Sequence, residues 1–80
     1  MSDALPAVVR RIASDILGVP ASQLTDDSSP DTIESWDSVQ HLSLVMAFEQ
    51  ELGLQFEPED MAKMRSIAAI VEMVRSKRGG

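Results

Sequence analysis

Cysteine is absent from this 80-residue chain, and histidine occurs once. Without cysteine there is no disulfide staple, no thiolate nucleophile and no cysteine-ligated zinc site. A single histidine is too few for a histidine-built metal centre. No apolar run approaches the roughly 20 residues needed to cross a bilayer, and the first residues lack the apolar core of a signal peptide. The expected compartment is therefore the cytoplasm. At this length one small domain is expected over 1–80, with 1–3 and 78–80 as flexible tails. Hydrophobic residues make up 44% of the chain, enough for a core without staples.

Bases are missing in a particular place. Between Ile12 and Ala62 the chain has eleven acids (Asp15, Asp26, Asp27, Asp31, Glu34, Asp37, Glu49, Glu51, Glu57, Glu59, Asp60) and no Lys or Arg. All seven bases lie outside that stretch: Arg10, Arg11, Lys63, Arg65, Arg75, Lys77 and Arg78. The formal net charge of −6 excludes nucleic-acid backbone binding, which needs clustered cations. An acidic stretch of this length is either a solubilising surface or a recognition face for basic partners.

Strand alternation is absent too, and helical periodicity replaces it. Leu5, Val8, Val9, Ile12, Ala13, Ile16 and Leu17 form one amphipathic stripe. Pro6 suits its first turn, and Gly18 with Pro20 stops it. A long Ser-, Thr-, Asp- and Pro-rich connection follows from Gly18 to Trp36, with Leu24 and Ile33 as expected core anchors. Its Asp26–Asp31 run lacks the central Gly and closing Glu of a calcium loop.

The second helix is predicted from Asp37-Ser38 to Leu52, stopped by Gly53. Asp37 is its expected N-cap, with Gln40 three residues on as in a capping box. Leu44, Phe48 and Leu52, flanked by Val45, share its core face, while Val39 and Met46 form an exposed apolar pair. Glu57-Pro58-Glu59-Asp60 opens a short helix. Ser66 caps a last one bearing Ile67, Ile70, Val71 and Val74, with Arg75, Lys77 and Arg78 in its final turn. Met61, Met64 and Met73 supply adaptable packing near the short helix. The fold class is all-α: a small bundle of three main helices plus one short helix between the second and the last, with a long first loop.

Ser38 carries the candidate chemistry. It opens a helix after a long loop, where unpaired N–H groups and the helix dipole favour a phosphate. The bland alternative is a second capping residue. His41 lies one turn on and Asp37 is adjacent. Three groups in one helical turn do not line up as nucleophile, base and orienter, so no hydrolytic triad and no catalytic residue is assigned. His41 falls on the core-facing side, as a structural group or at the rim of the site. The terminal Gly79-Gly80 suggests a sulfur or modifier carrier, but such carriers need strands that this sequence does not offer.

The long loop, Trp36-Asp37-Ser38-Val39, the helix with Leu42-Ser43-Leu44-Val45-Met46-Ala47-Phe48-Glu49, then Leu52-Gly53, Phe56, Pro58 and Ile67, resemble the acyl carrier protein family, in its discrete stand-alone form. The resemblance runs from about Leu5 to Val74. It implies a non-catalytic carrier with a 4′-phosphopantetheine arm on Ser38, donated by coenzyme A through a phosphopantetheinyl transferase. The arm's thiol would hold acyl groups as thioesters. Asp37 resembles the acidic neighbour of the modified serine.

Further implied partners are an acyl-loading ligase or transferase, and synthases or transferases with basic docking patches. Val39 and Met46 look like the centre of the docking face. Glu34, Asp37, Glu49 and Glu59 are its candidate charges, and Trp36 either flanks the arm or packs on the loop. The carrier is expected to be a monomer, to bind no nucleic acid, and to shelter an acyl chain by partial opening of its core. Trp36 before the Asp-Ser pair, and Gln40, His41 and Ser43 in the next turn, depart from carriers of bulk fatty-acid synthesis. A Trp at that position looks more like discrete carriers of secondary biosynthesis, or like peptidyl and polyketide carriers. The competing reading is an unmodified acidic adaptor using the Val39/Met46 face.

Overall fold

A computed structural model describes residues 4–78. The elements are α1 (Leu5–Leu17), a 3-10 turn (Ala21–Gln23), α2 (Ser38–Leu52), α3 (Pro58–Lys63) and α4 (Ile67–Lys77), with no strand among the described residues. The expected tails at 1–3 and 79–80 lie outside the described residues. Arg78 is a correction to the expected tail. Its amide bonds the Val74 carbonyl at 3.0 Å, so it closes the last turn of α4.

The helix ends are local chemistry. The Pro at the start of α1 needs no N–H partner. Gly18 and Gly53 take φ of 71° and 65°, the left-handed region that favours glycine, and their amides return to Ser14 and Glu49 carbonyls. The Asp37 carboxylate accepts from the Gln40 amide at 2.8 Å, and the Ser66 hydroxyl accepts from Ala69 at 3.0 Å. Asp60 reaches back to the Glu57 amide at 2.9 Å, so the reciprocal acid sits on α3.

Helix α1 packs against α2 and α4, and α3 against α4. Val9, Ile12 and Leu17 from α1 meet Leu44 and Phe48 from α2 and Ile67, Ile70 and Val74 from α4. Leu24, Trp36, Phe56 and Met64 seal the same core from the connections. Leu24 is a full anchor as expected; Ile33 and Leu52 are only half-buried and pack at the margin.

The long loop has a structural duty that composition did not reveal. The Ser28 and Asp26 carbonyls each accept a bond of 3.0 Å, from the Ile67 and Ala68 amides respectively. With the Ser66 hydroxyl on Ala69, the first three amides of α4 are satisfied from outside the helix. Ser28 is itself buried, and its hydroxyl accepts from the Thr25 amide at 2.9 Å. At the far end of the loop, the Ser35 hydroxyl donates to the Leu17 carbonyl at 2.8 Å. The loop is thus bonded to the end of α1 and the beginning of α4.

A salt bridge of 2.7 Å joins Lys77 on α4 to Asp60 on α3. The Lys77 hydrogen bond holds the Asp60 carboxyl below its ordinary pKa, and Asp60 in turn raises that of Lys77. For Asp60, whose folded pKa is depressed, the contribution is present above the unfolded pKa and disappears as pH falls through the folded one. For Lys77 it is present below the unfolded pKa and disappears as pH rises through the folded one. Lys77→Met is therefore expected to lower the urea midpoint at neutral pH. That difference from wild type should shrink in acid below the carboxylate range; a difference constant with pH would contradict the pair's role.

Candidate functional site

Ser38 is the first residue of α2, and its side chain is exposed. The capping bond is made by Asp37, and the Ser38 hydroxyl bonds no described residue. That excludes the bland alternative of a second cap. The hydroxyl is free for chemistry at the end of a helix whose first amides, Ser38 and Val39, also have no acceptor among the described residues.

Beside Ser38 opens a cavity of about 510 Å³. Pro30 and Trp36 wall it from the loop, His41 and Leu42 from α2, and Met61, Ala62 and Arg65 from α3 and the turn after it. Its floor is held by a relay of hydrogen bonds. The Trp36 indole N–H donates to His41 Nδ1 at 3.0 Å. The opposite ring nitrogen, Nε2, lies 2.8 Å from the Met61 carbonyl. An indole can only donate and a carbonyl can only accept. Both bonds therefore require the neutral imidazole with its proton on Nε2. His41 is a tie between loop, α2 and α3, which joins the two roles the sequence left open, structural group and rim of the site.

Several expected docking residues now have definite places. Val39 and Met46 are 71% and 55% exposed, and Leu42, also 55% exposed, stands between them. Leu42 was missed; its signal was the i+3 and i+4 spacing from Val39 and to Met46. Glu34, Asp37 and Glu59 are exposed.

Trp36 requires correction as a docking residue. It is 2% exposed, because the ring is a large apolar payload and its N–H finds a partner inside. It packs inward, the alternative to flanking the arm, while its edge lines the cavity. Glu49 is also corrected. It is half-buried, and its carboxylate accepts the Phe56 amide at 2.9 Å, so it braces the α2–α3 turn and is no free surface charge. The bases are not all remote from the site either, since Arg65 lines the same cavity as Ser38.

Replacing His41 with Phe keeps ring volume and removes both bonds. The buried indole N–H is then unsatisfied, at a cost of about 1–3 kcal/mol. The expected result is a lower denaturation midpoint and a displaced Trp36 indole N–H resonance. An unchanged resonance would show that the relay does not form in solution.

A family model described as a phosphopantetheine attachment site matches residues 7–74. An acyl carrier protein of Thermotoga maritima is 34% identical over 71 residues, covering 89% of this chain and 88% of that protein. An acyl carrier protein of Akkermansia muciniphila is 32% identical over 80 residues, covering 99% and 100% of the two chains. The solution NMR structure of a holo acyl carrier protein from Geobacter metallireducens has a TM-score of 0.85 over 96% of this chain and 88% of its own. At 19% identity that likeness shows the fold. The family match implies a covalently attached 4′-phosphopantetheine and a carrier role, and an exposed serine beside a mostly apolar cavity is compatible with both. The chain belongs to the acyl carrier protein family, whose hallmark is the phosphopantetheine attachment site.

Proposed function

We propose that Ser38 is the attachment residue and that the chain carries acyl intermediates as thioesters for partner enzymes. The observation that carries this reading is the Ser38 hydroxyl, exposed and without a partner among the described residues at the start of α2. The arm supplies the thiol that this cysteine-free chain lacks. The chain's own residues hold the attachment point. Asp37 keeps the helix end capped, and the Trp36–His41–Met61 relay fixes the wall beside it. Tethering raises the effective concentration of the cargo at a docked enzyme.

Docking is assigned to Val39, Leu42 and Met46, with Glu34 and Asp37 contributing charge at the Ser38 end. An apolar patch rimmed by acids suits weak, fast encounters with basic surfaces. The partners inferred are a phosphopantetheinyl transferase, an acyl-loading ligase or transferase, and synthases with cationic docking patches. A discrete carrier acting as a monomer in the cytoplasm is the setting proposed; no described helix is long and apolar enough to cross a membrane.

The pathway inferred is secondary or specialised biosynthesis. Gln40, His41 and Ser43 occupy the turn after Ser38, where a bulk fatty-acid carrier resembles a more acidic surface. His41 is committed to the Trp36 relay, so this turn is built around a buried ring instead of further charge.

Coexpression with a broad-specificity phosphopantetheinyl transferase tests the attachment by intact mass. Wild type should gain the mass of one phosphopantetheine and Ser38→Ala should not; a gain that survives the substitution overturns the assignment. In the same assay Glu34→Lys should slow arm transfer several-fold while Glu72→Lys should not, since Glu72 pairs with Arg75 on α4. Equal rates would remove Glu34 from the docking face. For the pathway, the holo-protein should be a poor substrate for a bulk fatty-acid elongation system, and elongation at the rate of that system's own carrier would refute the inference.

A further inference from the structure

One cation returns to the acidic side of the molecule. Arg65 follows α3 in sequence, yet it lines the cavity that Ser38 opens onto. Three other bases are engaged: Arg10 with Asp26, Arg75 with Glu72 and Lys77 with Asp60. Arg65 is exposed and makes no hydrogen bond or ion pair with any described residue. It is the one base among the residues that line this cavity, and no described residue neutralises it.

We propose that Arg65 is the positioning residue for the arm's phosphodiester, pairing with it across the mouth of the cavity. This rests on Ser38 being the modified residue. A phosphodiester on Ser38 brings a negative charge beside the Asp37 carboxylate, within the stretch from Ile12 to Ala62 that has no Lys or Arg. Like charges so close repel, and a cation on the same cavity offsets the repulsion. A guanidinium fork matches two oxygens of one phosphate, which a lysine ammonium meets only as a point charge. Lys63, which is nearer to Ser38 in sequence, is not among the cavity residues. The pairing turns the first atoms of the arm toward Leu42 and Met61, over the cavity. A docking enzyme that brings its own cation to the phosphodiester competes with Arg65 and frees the arm to swing out.

The test uses the full-length holo-protein with the thiol free, and compares wild type, Arg65→Met, Arg65→Lys and Lys63→Met. Two signals are read by NMR: the phosphorus shift of the diester, and cross-relaxation between the pantetheine methyls and those of Leu42 and Met61. In Arg65→Met the phosphorus shift should move and cross-relaxation should fall about threefold, the scale of a solvent-accessible ion pair. Arg65→Lys should retain part of the contact, and Lys63→Met should match wild type. An unchanged Trp36 indole N–H resonance certifies the fold of each variant. Identical signals in wild type and Arg65→Met would overturn the proposal. So would an equal loss in Lys63→Met, which would mean a diffuse field effect. Dependence on Arg65 that appears only when the thiol holds a carboxylate-bearing acyl group would overturn it in favour of cargo recognition. Absence of any mass gain at Ser38 would overturn the attachment reading and this one together, whereas a modified protein with Arg65-independent signals overturns only this one.

Discussion

The hydrogen-bond relay from Trp36 through His41 to Met61 is the constraint on which the site depends. A buried indole N–H must find an acceptor, and the one it has is an imidazole nitrogen. That choice dictates the tautomer, and the tautomer puts a donor on the opposite side of the ring, where the Met61 carbonyl receives it. The end of the loop, α2 and α3 are joined by one side chain in the middle. Helix α3, only six residues long, could not hold its shape alone. It is kept in place by this tie on one side and by the Lys77–Asp60 bridge on the other. The wall of the cavity beside Ser38 is therefore tied down by contacts unrelated to helix propensity.

The same logic redistributes the charge. In sequence the acidic stretch and the basic ends look separate. In the fold, Arg10 reaches Asp26 and Lys77 reaches Asp60, so acids that hold the frame together acquire cations. Glu49 is spent on the Phe56 amide. Near Ser38, Glu34 is exposed and engaged by no described residue, and Asp37 is exposed although its carboxylate also caps α2; the exposed Val39, Leu42 and Met46 lie on the same helix. Net charge describes solubility; the unspent fraction describes recognition.

Most of the frame was legible because its signals are local. The stripe of α1, the glycines that end α1 and α2, the Asp37 and Ser66 caps and the Pro58 start of α3 all follow from residues within a turn of one another. So did the outward-facing Val39 and Met46. The contacts that escaped link residues far apart in the chain. Nothing near Ser28 indicates that its carbonyl caps Ile67. Nothing near Glu49 indicates that Phe56 will claim its carboxylate. For Trp36 the sequence left flanking the arm and packing on the loop both open, and burial of its ring decides for packing. Arg65 looked remote because it lies 27 positions beyond Ser38 in the chain, and the α3–α4 turn brings it back.

The Asp-Ser pair at the head of α2 shows why the order of the two residues matters. Either residue type caps a helix well, and the cap needs an oxygen that accepts from an amide two or three residues on. Had serine held that position, attaching a diester to its oxygen would have altered the cap each time the group was added or removed. Here the carboxylate of Asp37 makes the bond to Gln40, and Ser38 sits one residue inside with its hydroxyl unused. The capping bond does not involve the Ser38 oxygen, the proposed attachment point. Under the proposed attachment at Ser38, dividing the work between neighbouring residues leaves the capped end of α2 independent of the oxygen that would carry the group.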